Sequence, residues 1–193
     1  MEDPVALQRG ALAAFQDRVV AVRHDQWDAP TPCEGWTVRD LVNHVVGGNL
    51  WVAPLLAGQR HDEVTGLDGD VLGDDPVAAY ESSCEQALAA FERPGATQAT
   101  VQASFGSFPG EVYAWQRFAD VLVHTWDLAV AIDTDLRLPD DLVEALAGWF
   151  DGVEEAYRAG GVIGPRAPVG PGADAQTQLL ARFGRSPRTV VGG

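Results

Sequence analysis

A chain of 193 residues, 46% of them hydrophobic and with a mean hydropathy of -0.06, has room for one sizeable core and is neither disordered nor membrane-like in composition. Its net charge of -15, from 13 basic and 28 acidic residues, repels phosphate backbones and disfavours nucleic acid as a partner. All thirteen basic residues are arginine, which excludes Schiff-base catalysis, pyridoxal phosphate attachment and any P-loop lysine.

The first residues, Met1 to Pro4, are acidic where a secretory signal would be basic, and no apolar run has bilayer-spanning length. Cys33 and Cys84 form no C-x-x-C pair. The expectation is a cytoplasmic protein with two free thiols and no membrane partner.

Residues 4–23 read as a first helix with Val5, Leu7, Leu12, Phe15, Val19 and Val22 on its apolar side. His24 then suits the negative end of the helix dipole. Pro30, Pro32 and Gly35 make residues 26–35 a loop. Cys33 sits in it beside Asp28 and Glu34, charges that disfavour a thiolate. Thr37 to Asp40 reads as a capping box that opens a second helix, running to about residue 57 and kinked or shortened by Pro54. His44 lies inside it, on a face shared with Asp40, Gly47, Gly48 and Trp51. The two glycines cost roughly 1 kcal/mol each relative to alanine. They clear space for a ligand beside the imidazole or for close helix packing; a buried histidine bonded to a neighbour is the alternative.

Residues 59–75 are polar and acidic but lack the calcium-loop pattern, so a solvated loop with an exposed His61 is expected. Pro76 starts a third helix, to about residue 92, with Cys84 as a small buried filler. Residues 97–108 read as an extended segment or hairpin arm. A long helix follows over 111–132 and another over 140–159. Past Gly160 an irregular tail is expected, with a short helix near 176–183. This divides the chain into a helical bundle over 1–160 and a tail over 161–193 that packs on the same domain.

The stretch 117–129 organises the rest. Phe118, Val121, Leu122 and Leu128 follow helical spacing, while Arg117, Asp120, His124 and Asp127 share one narrow arc. A carboxylate and an imidazole at i and i+4 have Cβ atoms about 5–6 Å apart, close enough to hold one metal ion; a salt-bridged surface face is the other reading. Joined by His44, they make a set of two imidazoles and one carboxylate that suits Zn²⁺, and also Ni²⁺ or Fe²⁺. Three protein ligands leave a position for water or substrate, as catalytic sites do. Arg117 is placed to meet a substrate carboxylate or to pair with Asp120. Asp127 is placed to orient a ligand or to pair with an arginine. Trp51 is a candidate pocket wall, or ordinary core.

Residues 27–44, Trp27-Asp28-Ala29-Pro30-Thr31-Pro32-Cys33-Glu34-Gly35-Trp36-Thr37-Val38-Arg39-Asp40-Leu41-Val42-Asn43-His44, resemble the signature of DinB-like metal-binding proteins. More closely, they resemble the mycothiol-dependent maleylpyruvate isomerase N-terminal family in its short actinobacterial single-domain branch. Residues 120–129 are similar to that family's second motif and residues 173–185 to the tail of the branch. The resemblance implies an all-α, DinB-like four-helix bundle with an additional C-terminal helical segment and an irregular tail. It implies one divalent metal held by His44, Asp120 and His124, and a possible homodimer. The isomerase carries a glutamate where Asp120 stands, and an additional C-terminal domain for which this chain is too short. The function implied is a metal-dependent transferase or isomerase using a mycothiol-type thiol on a small molecule, with the metal-bound water or thiol as the only reacting group. The alternatives are a non-catalytic metal- or small-ligand-binding protein with a structural ion, and a metal-activated hydrolase.

Overall fold

Helix starts are set by side chains that satisfy the first free backbone N–H groups. In this computed structural model, which describes residues 2–67, 69–104 and 106–186, most of the chain is helical. Asp68 of the acidic loop, Phe105 of the extended segment and the last seven residues of the tail lie outside the described residues. Helix α1, Pro4–Val19, is capped by Asp3, whose carboxylate accepts from the Val5 N–H at 2.9 Å. It ends sooner than the apolar spacing predicts. His24 therefore opens a separate 3-10 turn, His24–Gln26, and does not close α1. The Gln26 side chain donates to the Ile132 carbonyl at 3.0 Å and ties that turn to the far end of the long helix.

Helix α2, Val38–Leu50, begins at the expected capping box: the Thr37 N–H donates to Asp40 Oδ2 at 2.9 Å, and the Asp40 N–H donates to Thr37 Oγ1 at 3.2 Å. The helix breaks at Trp51 and resumes as α3, Val52–Leu56. Pro54 explains the position of the break, because it has no N–H for the Leu50 carbonyl and its ring crowds that carbonyl. Helix α4, Pro76–Phe91, is capped by Asp75. A two-stranded antiparallel hairpin, β1 Thr100–Ala103 and β2 Gly106–Pro109, pairs Val101 with Phe108. Helix α5, Gly110–Ala131, follows directly. A Cβ at Gly110 would collide with the Ala96 carbonyl oxygen, so only glycine lets α5 start against that turn.

Helices α1, α2 with α3, α4 and α5 form the four-helix bundle, with α5 packed on α1 and α2. Nearly the whole circumference of α5 is buried between Tyr113 and Ala129. Phe15, Leu41, Tyr80, Phe118, Leu122 and Leu128 fill the core. The Tyr80 hydroxyl donates to the Leu12 carbonyl at 2.7 Å, which joins α4 to α1. Among the described residues, no helix is long and apolar enough to cross a membrane.

Contacts group the chain into two compact units that divide between Arg137 and Leu138, so the helix predicted over 140–159 falls in the second unit. That helix is interrupted at Gly152 and Val153, giving α6 Asp140–Asp151 and α7 Glu154–Ala159; α8 is Ala175–Arg182. Glu154 is buried and accepts from Arg158 at 2.6 Å, Arg166 at 2.5 Å and Arg182 at 2.7 Å. Burial alone would raise its pKa, but hydrogen bonds from Arg166, Arg158 and Arg182 outweigh it and pull the carboxyl down to about 2. A carboxylate depressed in the folded state contributes fully above its ordinary value and loses that contribution as pH falls towards the folded one. We expect Glu154→Gln to cost on the order of 3 kcal/mol near neutrality and to flatten the loss of stability below about pH 4.5. Denaturant unfolding at stepped pH checks both.

A candidate metal centre on the long helix

The arc predicted on α5 exists and faces α2. His44 Nε2 lies 3.2 Å from Asp120 Oδ1, and His124 Nε2 lies 3.5 Å from the same oxygen. The three donor atoms all fall within 4.8 Å of one another. An ion bound tetrahedrally by nitrogen and oxygen at about 2.1 Å holds neighbouring ligand atoms about 3.4 Å apart, and the two observed separations bracket that value. Those two separations suit a small divalent cation. The short side chain of Asp120 still reaches both imidazoles.

Two of the three donors, His124 and Asp120, are held from behind. The His124 Nδ1–H donates to Asp127 Oδ2 at 2.9 Å, which turns the Nε2 edge of the ring towards Asp120. Asp127 is fully buried. The second oxygen of Asp120 accepts from Arg117 Nη1 at 2.8 Å. Arg117 is itself buried and also donates from Nη2 to the Val45 carbonyl at 3.3 Å and to Asn49 Oδ1 at 3.2 Å. Of the two roles open to Arg117 in the sequence, the structure shows the pairing with Asp120. Asn49 continues the chain of hydrogen bonds by donating to Ser83 Oγ on α4 at 3.1 Å. Gly48 makes room for the guanidinium: a Cβ there would stand 2.5 Å from Arg117 Cζ and 2.6 Å from Nη2. Of the two uses proposed for the glycine pair, Gly48 serves close packing, not a ligand cavity.

The electrostatics follow from this crowding. Burial alone would raise the Asp120 pKa, but His44, Arg117 and His124 beside it hold the carboxyl well below the usual carboxylate range. Burial works against a charged His124, yet the Asp120 carboxylate, with hydrogen bonds to Asp120, Asp127 and Cys33, raises its pKa well above the ordinary value. An ionised carboxylate, balanced by Arg117 and His124, thus stands at the point where two imidazoles converge.

Trp36 covers both imidazoles, with ring centroids 4.9 Å from His44 and 5.9 Å from His124. Trp51 is placed elsewhere, two turns along from His44, where it stacks on His61 at 4.2 Å with the planes 8° apart. His61 is accordingly half-buried rather than exposed. Cys33 reaches the back of the centre: its sulfur lies 3.4 Å from Asp127 Oδ2 and 3.9 Å from His124 Nδ1. Neither cysteine is in a disulfide. Sequence reasoning assigned no role to Trp36 or Asn49 and gave Cys33 no place at the centre. The available signals were a tryptophan directly before the helix cap and an asparagine within an otherwise apolar helix face.

Residues 9–129 match the family described as the mycothiol maleylpyruvate isomerase N-terminal domain. This chain belongs to that family. The match spans both halves of the site, from α1 through the α5 motif. Two relatives, "Uncharacterized protein MT0763" and "Uncharacterized protein Rv0738" of Mycobacterium tuberculosis, are each 34% identical over 197 residues, covering 96% of this chain and 100% of their own. The family fold is seen in crystal structures of the mycothiol-dependent maleylpyruvate isomerase and of a histidine-to-alanine mutant of it. They superpose with TM-scores of 0.60, at 19% and 17% identity, over 77% of this chain and 68% of theirs. The DinB-like helical architecture is therefore shared with that isomerase.

Proposed function

We propose that His44, Asp120 and His124 hold one divalent cation, zinc foremost with nickel or iron as alternatives. We further propose that the chain is a transferase or isomerase using a mycothiol-type thiol on a small molecule. The observation that carries the reading is the convergence of two imidazole Nε2 atoms on one carboxylate oxygen, at 3.2 and 3.5 Å. A cation bound there supplies Lewis acidity, lowering the pKa of a thiol or water that enters its remaining position.

The chain's own residues prepare that position. His44, with a side chain 38% exposed, marks the side open to solvent. Trp36 walls the imidazoles with an aromatic face. Asp127 holds the proton on His124 Nδ1, and Arg117 fixes the Asp120 carboxylate so that one oxygen faces the centre. The Trp51–His61 stack gives a second aromatic surface two turns away, suited to the non-reacting part of a substrate. Asp127→Asn is expected to keep the fold and weaken zinc binding about 10- to 100-fold, as loss of the group behind a histidine ligand does. Competition with a chromogenic chelator measures it.

The test of function is turnover. Purified protein loaded with zinc, mycothiol and an electrophilic small molecule should consume the thiol or isomerise the substrate, and chelated protein should not. Metal binding without turnover would move the chain to the non-catalytic alternative, a binding protein with a structural ion. The bundle has a hydrophobic core of its own, in which Leu41, Val42, Phe118 and Leu122 are fully buried, and this favours a catalytic over a structural ion. We expect chelated protein to keep its helical signal and a cooperative unfolding transition, whereas a structural ion would take the fold with it.

A further inference from the structure

The other face of His124 carries a second set of donors. Its Nδ1 lies 2.9 Å from Asp127 Oδ2 and 3.9 Å from Cys33 Sγ, and the sulfur lies 3.4 Å from the same carboxylate oxygen. All three atoms fall within 4.8 Å of one another. A tetrahedral ion with a sulfur bond of about 2.3 Å and nitrogen and oxygen bonds of about 2.1 Å spaces sulfur about 3.6 Å from each of the others and nitrogen about 3.4 Å from oxygen. Closing the cluster round an ion thus needs shifts of about half an ångström or less. Asp127 and His124 are buried, while Cys33 is half-buried on the loop between α1 and α2, so approach is through the thiol side.

We propose that Cys33, His124 and Asp127 form a second cation position, selective for thiophilic ions such as Cd²⁺ or Cu⁺. A thiolate in the donor set is what distinguishes it from the His44, Asp120 and His124 centre, since soft ligands select soft ions. On binding, the Cys33 thiol gives up its proton to solvent as the sulfur–metal bond forms. His124 gives up its Nδ1 proton to solvent and keeps the one on Nε2, freeing the Nδ1 lone pair for the ion. Nε2 then points an N–H, not a lone pair, at Asp120 Oδ1. One neutral imidazole cannot serve both positions, so a thiophilic ion at Cys33 closes the inner centre. That exclusion rests on the inner centre proposed above; the thiolate position does not. Cys84 is no rival for it: burial pushes that thiol up to about 11, and it sits beside Asn49 on α4.

The experiment adds one equivalent of Cd²⁺ to metal-free full-length protein and follows the ultraviolet thiolate-to-cadmium charge-transfer band. Wild type, Cys84→Ser and His44→Ala should all develop the band, and Cys33→Ser and His124→Ala should not. Cys33→Ser should also keep the zinc content of the wild type, which shows that the variant is folded and its inner centre intact. No band in the wild type, or a band that survives Cys33→Ser, overturns the proposal. So does a band lost in His44→Ala, because the sulfur would then belong to the inner centre. A cadmium band in protein that takes up no zinc would leave this proposal standing and remove the inner one.

Discussion

His124→Ala should purify without metal where the wild type carries about one ion per chain, and it should have no thiol-dependent turnover. His124 contributes twice to the centre. Its Nε2 faces Asp120 Oδ1 at 3.5 Å, and its Nδ1 is anchored by Asp127 at 2.9 Å, so the ring is oriented before any ion arrives. The substitution deletes a donor and also leaves a fully buried carboxylate at Asp127 without its imidazole. We expect zinc affinity to fall by more than the roughly 100-fold seen when only an outer-sphere group is lost. His44→Ala is the informative comparison. His44 is more exposed, and its loss leaves Asp120 and His124 as an i, i+4 pair on one helix, still able to bind an ion weakly. Metal content should therefore rank wild type above His44→Ala above His124→Ala. Elemental analysis of the three proteins, with circular dichroism to confirm folding, decides it. Equal metal in wild type and His124→Ala would remove the centre altogether.

The parts of this site that a single helix encodes were legible from spacing. Arg117, Asp120, His124 and Asp127 lie on one helix, and the 3.6-residue repeat alone puts them on one arc. The meeting of that arc with His44 is a tertiary fact. Spacing made it a hypothesis, and family resemblance supported it; neither could supply a distance. Cys33 shows the limit well. Its sequence neighbours are Asp28 and Glu34, which argued against reactivity, yet the loop carries it to Asp127 and His124, some 90 residues away. Charge near in sequence was the wrong charge to count. The same holds for His61, expected in water but stacked on Trp51 where Arg60 pairs with Gln102 across a β-bridge. Local chemistry fared better. The Thr37 to Asp40 box and Pro76 start helices as expected, and Pro54 breaks α2 through the N–H it lacks.

Gly48→Ala should be destabilising, against the usual sign for such a change. In an exposed helix interior, alanine improves on glycine by about 1 kcal/mol. At position 48 the new methyl would stand 2.5 Å from Cζ of a buried guanidinium. Arg117 cannot swing into water without giving up its bonds to Asn49 Oδ1 and the Val45 carbonyl in the core and leaving Asp120 Oδ2 without its arginine. Unpaired buried groups cost about 1–3 kcal/mol each, so a net loss on the order of 2–4 kcal/mol is expected. The same displacement frees the Asp120 carboxylate to rotate, and zinc affinity should fall with stability. Arg117→Lys separates the two effects. Lysine keeps a positive charge but cannot reach Asp120, Val45 and Asn49 together, because its donors share one nitrogen. We expect Arg117→Lys to restore the space lost in Gly48→Ala when the two are combined, recovering part of the stability but not the zinc affinity. Denaturant unfolding and chelator competition on the two single variants and the double variant complete the cycle, and additive effects would mean that Gly48 and Arg117 do not act through one another.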